Sequence, residues 1–100
     1  MKFPVEIPCT VQITEKDIRI GEPNNSGKCA AAICLKRLLD GQYEVCVSHK
    51  VARIYERGNI YPKWIINFPE DLSEWIMAFD NGDRMQPTSF EITEERIEYK

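Results

Sequence analysis

With a single histidine, His49, and no Cys-x-x-Cys pair among its four cysteines, the chain lacks the side chains that most structural zinc sites and histidine-based catalytic centres need. No apolar run approaches the roughly 20 residues required to cross a bilayer, and the opening Met1-Lys2-Phe3-Pro4-Val5-Glu6 has no signal-peptide h-region. These absences point to the cytosol, with Cys9, Cys29, Cys34 and Cys46 as reduced thiols. The nearest approach to a phosphate-binding loop runs from Gly21 to Cys29. There, five residues separate Gly21 from Gly27 where the Walker pattern has four, and Cys29 stands where a magnesium-binding Ser or Thr belongs. No nucleotide-triphosphatase, metal or cofactor signature survives this reading.

What is present is globular in character. A hydrophobic content of 43% beside 29% charged residues argues against disorder, and 100 residues suit one folding unit, so residues 1–100 are expected to form a single domain. Charge is uneven: Lys50, Arg53, Arg57 and Lys63 stand against Glu56 in the middle of the chain, whereas acids dominate after Pro69. An overall pI near 5.2 speaks against strong duplex nucleic-acid binding, which phosphate contacts dominate.

Periodicity gives an α+β fold in the order β-α-β-β-β-α-β, an antiparallel meander with two main helices. Residues 5–13 alternate, with Thr10 to Ile13 the surer strand and Pro8 confining the start to an edge. Thr14 and Asp17 can cap a short turn that Gly21 and Pro23 stop. A first long helix is expected from Gly27 or Lys28 to Asp40, capped by Ser26 and ended by Gly41, with Ala30, Ile33, Cys34 and Leu38 on one stripe. Tyr43 to Ser48 and Val51 to Tyr55 read as adjacent strands, followed across the Arg57-Gly58-Asn59 turn by Trp64 to Phe68. Pro69 opens a second helix in which Leu72, Trp75, Ile76 and Phe79 are spaced for one face, and Asn81-Gly82 ends it. Ser89 to Ile92 reads as a last strand, and the charged residues 93–100 as a tail that frays or extends as a helix.

Two segments carry candidate chemistry. Ser26, Gly27 and Lys28 at a helix start offer free N–H groups and a cation to an anion. Arg53, Tyr55, Arg57, Tyr61, Lys63 and Trp64 combine charge for phosphate with rings for stacking, and strand alternation puts Arg53, Tyr55 and Arg57 on one face. Cys29 with His49 as base would be the minimal nucleophile pair, although nothing in the spacing joins them.

Ile13-Thr14 with Ile18 and Gly21, Cys29 opening an alanine-rich helix through Leu35, Phe79-Asp80-Asn81-Gly82 at a helix end, and Pro87-Thr88-Ser89-Phe90-Glu91-Ile92 form an outline extending from Val11 to Ile92. In it the chain resembles a group of small uncharacterised bacteriophage and prophage proteins. The resemblance implies a mobile-element origin and a cytosolic role during infection, and carries no activity. The expectation is a non-enzymatic accessory protein that sequesters a small anionic, nucleotide-derived ligand to counter host defence, as a homo-oligomer. Its site residues would be Ser26, Gly27, Lys28, Arg53, Tyr55, Arg57 and Trp64. The alternative is a protein inhibitor that meets a host enzyme through its acidic surface.

Overall fold

Alternation in the first strand, β1 (Cys9–Ile13), buries Val11 and Ile13 and leaves Thr10 and Gln12 in water. The computed structural model describes residues 3–99. β1 pairs antiparallel with β5 (Thr88–Ile92), setting Val11 opposite Phe90. A second antiparallel sheet has the order β2-β3-β4-β6, from β2 (Tyr43–Val47), β3 (Val51–Glu56), β4 (Trp64–Asn67) and β6 (Ile97–Tyr99). The fold is thus α+β, with the expected β2-β3-β4 meander and the two main helices.

The tail is the main departure. Residues 93–99 do not fray: a single 3-10 turn, Glu94–Arg96, leads into β6, which pairs Ile97 with Ile66 on β4. Burying Ile97 and satisfying the otherwise open edge of β4 holds the segment down despite its charge. Lys100, part of the same expectation, lies outside the described residues.

Thr14 caps α1 (Glu15–Ile20): its hydroxyl accepts from the Asp17 N–H at 3.2 Å, and the Asp17 carboxylate accepts from the Thr14 N–H at 2.9 Å. The next helix, α2 (Ala30–Leu38), starts later than the sequence suggests, with Cys29 rather than Ser26 at its cap. The preceding backbone is already committed. The Asn25 carbonyl accepts from the Lys28 and Cys29 N–H groups, and the Ser26 carbonyl accepts from the Val47 N–H at the edge of β2. Asp40 and Gly41, both at positive φ, end the helix. In α3 (Glu70–Asp80), capped by Pro69, the side chains of Leu72, Ile76 and Phe79 are buried.

α2 lies against β1 and β2. Its alanines and Leu35 meet a core that includes Val45, Val47, Ala52, Ile54, Trp64 and Ile66 from the inner face of the larger sheet. The opposite face of that sheet carries Cys46, Arg53, Tyr55 and Ile65, all partly or fully exposed. Gly21 makes the tightest junction: a Cβ there would lie 2.7 Å from the Ala30 nitrogen and 2.7 Å from the Asp17 carbonyl oxygen.

Candidate functional site

Among the described residues, no side-chain hydrogen bond or ion pair joins the two segments that the sequence singles out. Arg53 and Tyr55 share the outer face of β3, as alternation requires, because Ala52 and Ile54 on the other face are buried toward the α2 layer. Ser26, Gly27 and Lys28 belong to the loop that feeds α2, which runs along the edge of β2, where the Ser26 carbonyl accepts from the Val47 N–H. The N–H groups of the first α2 turn belong to Ala30, Ala31 and Ala32, all buried, with Gly21 packed over Ala30. An anion has no path to them. The Lys36 ammonium already donates to the Gly27 carbonyl at 2.6 Å, and Lys28 stays in water.

Trp64 overturns the stacking role assigned to it. Only 1% of it is exposed, and its ring meets Phe3 and Tyr43 edge-on, at centroid distances of 5.7 and 5.4 Å. It is a core residue because the inward register of β4 takes Trp64 and Ile66, leaving Ile65 outside. Arg57 follows β3 and donates to the Gly41 carbonyl at 2.5 Å while facing Glu44 at 3.8 Å. It braces the end of the sheet.

Cys29 and His49 both approach Asp80 at the end of α3. His49 Nε2 lies 3.0 Å from Asp80 Oδ2, and Asn24 donates to the same residue from its backbone N–H at 2.8 Å and from its side chain at 2.9 Å. Cys29 and Asp80 line one small cleft with Asn24, Ser26, Val47 and Ile76. Burial pushes the Cys29 thiol up; N–H groups at the α2 start oppose this, and the negative charge of Asp80 adds to it. The sulfur is held as a neutral thiol rather than as a ready nucleophile. Among the described residues no three His, Cys, Asp or Glu side chains group as metal ligands, and no helix is long and apolar enough to cross a membrane.

A cleft of about 740 Å³ lies elsewhere. One wall is α1, whose helical spacing puts Glu15, Ile18 and Arg19 on one side. The other is Phe79 near the end of α3 together with the loop Gly82 to Pro87. Trp75 ties that loop down, its indole N–H donating to the Gln86 carbonyl at 3.0 Å while its ring stacks on Phe79 at 5.7 Å. Ile18, Pro23, Phe79, Met85 and Pro87 supply apolar surface; Arg19 and Arg84, both exposed, supply guanidinium groups with no ion-pair partner among the described residues. This volume falls within the range of small-molecule pockets. Sequence reasoning missed Arg19 and Arg84 because only tertiary packing of α1 against the α3–β5 loop brings them to one rim.

Matched against models of protein families, curated proteins and solved structures, the chain shows no similarity to any of them.

Proposed function

We propose that this protein binds and sequesters a small anionic ligand in the cleft between α1 and the α3–β5 loop, without turning it over. The observation that carries the proposal is the pair of unpaired guanidinium groups, Arg19 and Arg84, at the rim of a largely apolar cleft. Apolar surface from Ile18, Phe79 and Met85 suits a ring, the arginines suit a phosphate or carboxylate, and the nearby Glu15 and Asp83 can accept from hydroxyl or amino groups. A nucleotide combines all three features. The two acids also repel a long polyanion, in keeping with the low pI.

The resemblance to phage and prophage proteins is the ground for setting this activity in the host cytosol, against a nucleotide-derived defence signal. Isothermal titration against a panel of linear and cyclic nucleotides tests it. Binding at micromolar affinity is expected, with the ligand recovered chemically intact. Flat traces across the panel, or a ligand recovered as product, would remove the proposal.

A further inference from the structure

The ligand cleft does not end at α1. Glu15 and Pro87, two of its lining residues, also line a second hollow of about 500 Å³, whose remaining surface comes from the end of β1 and the start of β5. The two hollows therefore form one groove, with Glu15 and Pro87 at the join.

The far half of this groove differs in chemistry from the near half. Gln12 and Ser89 are direct partners in the β1–β5 ladder and both are exposed, so their side chains stand about 5 Å apart on one face. Neighbouring polar groups are already engaged: the Gln12 carbonyl accepts from Arg37 Nη2 at 3.3 Å, and the Thr14 hydroxyl accepts from the Asp17 N–H. The Gln12 side-chain amide and the Ser89 hydroxyl stay open to a ligand. No cation lines this half, and Glu15 is its one charged group. It suits a neutral moiety rich in hydrogen bonds, whereas Arg19 and Arg84 make the near half the place for negative charge.

We propose that the ligand is a dinucleotide whose second nucleoside is adenosine, an inference that rests on the nucleotide reading of the cleft. The first base lies against Ile18, Phe79 and Met85, the arginines hold the joining phosphate, and Glu15 accepts from a hydroxyl of the second ribose. The second base lies over Gln12 and Ser89. A glutamine amide offers a donor and an acceptor in one plane, the pattern that adenine meets with its ring nitrogen and exocyclic amine. Span agrees with two nucleosides. From Arg19 to Glu15 is about 6 Å of helix, and from Glu15 to Gln12 is up to about 10 Å of extended chain.

Isothermal titration with nucleoside 3′-monophosphates, and with the same nucleotides extended through that phosphate by adenosine (NpA) or by uridine (NpU), tests it. NpA carries less negative charge than the monophosphate, so tighter binding has to come from the second nucleoside. NpA is expected to bind at least tenfold more tightly than the monophosphate and than NpU. Gln12→Ala with Ser89→Ala should remove that tenfold advantage, about one hydrogen bond's worth, without a change in melting temperature. Arg84→Ala should weaken the monophosphate and NpA alike. If the monophosphate binds and NpA binds no more tightly, if NpU equals NpA, or if the double variant keeps the advantage, the dinucleotide assignment is overturned while the cleft reading stands. If no probe binds, the cleft reading fails and takes this assignment with it.

Discussion

Arg37 on α2 holds both carboxylate oxygens of Asp17 on α1, Nη1 to Oδ1 at 2.6 Å and Nη2 to Oδ2 at 2.9 Å, with the Asp17 side chain only 1% exposed. The same carboxylate closes the Thr14 capping box, so one buried group ends a strand connection, starts a helix and binds that helix to the next. α1 has six residues, too few to persist without such tertiary support. Burial alone would push the Asp17 carboxyl up, but the Arg37 guanidinium and the Thr14 N–H and hydroxyl outweigh it and hold the pKa below the ordinary value.

Arg37→Ala should therefore destabilise the protein by about 3 kcal/mol, the low end for breaking a buried pair because the guanidinium is itself half in water. Asp17→Asn, which keeps an acceptor for the cap but loses the charged fork, should cost about 2 kcal/mol. A carboxyl with a lowered folded pKa stabilises the native state above its unfolded value of roughly 4 and loses that contribution as pH falls through the folded value. Denaturant melts should show wild-type stability dropping more steeply below about pH 4 than that of Asp17→Asn; parallel pH curves would contradict this account.

Gly21 and Gly27 bracket the loop before α2, and only one of them is sterically required. A Cβ on Gly21 would meet backbone atoms of Ala30 and Asp17 at 2.7 Å, and neither can move without parting α1 from α2. On Gly27 the nearest atom would be Asn25 Oδ1 at 3.9 Å. Gly21→Ala should cost about 1–3 kcal/mol, and Gly27→Ala should lie within about 0.5 kcal/mol of wild type by thermal or urea unfolding. Equal effects would count against this close contact.

Trp64 shows where sequence ran out. Val51-Ala52-Arg53-Ile54-Tyr55 alternates in polarity, so the outward pair Arg53 and Tyr55 was legible. Trp64-Ile65-Ile66 is apolar on both faces, and such a run does not say which face is inside; pairing with β3 and β6 decides it. The cap at Thr14 was legible because a capping box is local. The late start of α2 was not, since it depends on β2 claiming the Ser26 carbonyl from the other side of the chain. Trp64→Ala should cost about 3–5 kcal/mol, and a tryptophan fluorescence spectrum at short wavelength should report its burial. Near-neutral stability of Trp64→Ala would return the residue to the surface.

The four thiols differ enough to be ranked by reaction rate. Cys46 sits half-buried on the outer sheet face, and Cys9 is half-buried with its thiol pushed up by partial burial and by Glu91. Cys29 and Cys34 are buried, and burial together with Asp17 pushes Cys34 up to about 12. A raised pKa means less thiolate at a given pH. At mildly alkaline pH, alkylation followed by mass spectrometry should therefore modify Cys46 first, Cys9 next, and Cys29 and Cys34 only on the timescale of unfolding. Reaction of Cys29 as fast as Cys46 would revive a nucleophilic role for it.

Trp75 provides the most discriminating variant for the proposed cleft, because it shapes the site without lining it. Its indole N–H donates to the Gln86 carbonyl, and its ring backs Phe79. Trp75→Phe keeps a ring against Phe79 and removes the donor, so the loop bearing Arg84 should loosen while the fold persists. Nucleotide affinity should fall by about tenfold, the equivalent of one lost hydrogen bond, mainly through faster dissociation. Arg84→Ala should weaken binding by at least as much and flatten its dependence on salt, because the guanidinium supplies the charge that salt screens. Were Trp75→Phe to leave both affinity and dissociation rate unchanged while Arg84→Ala abolished binding, Arg84 would be acting without the loop geometry, and the cleft between α1 and the α3–β5 loop would not be the shape the ligand reads.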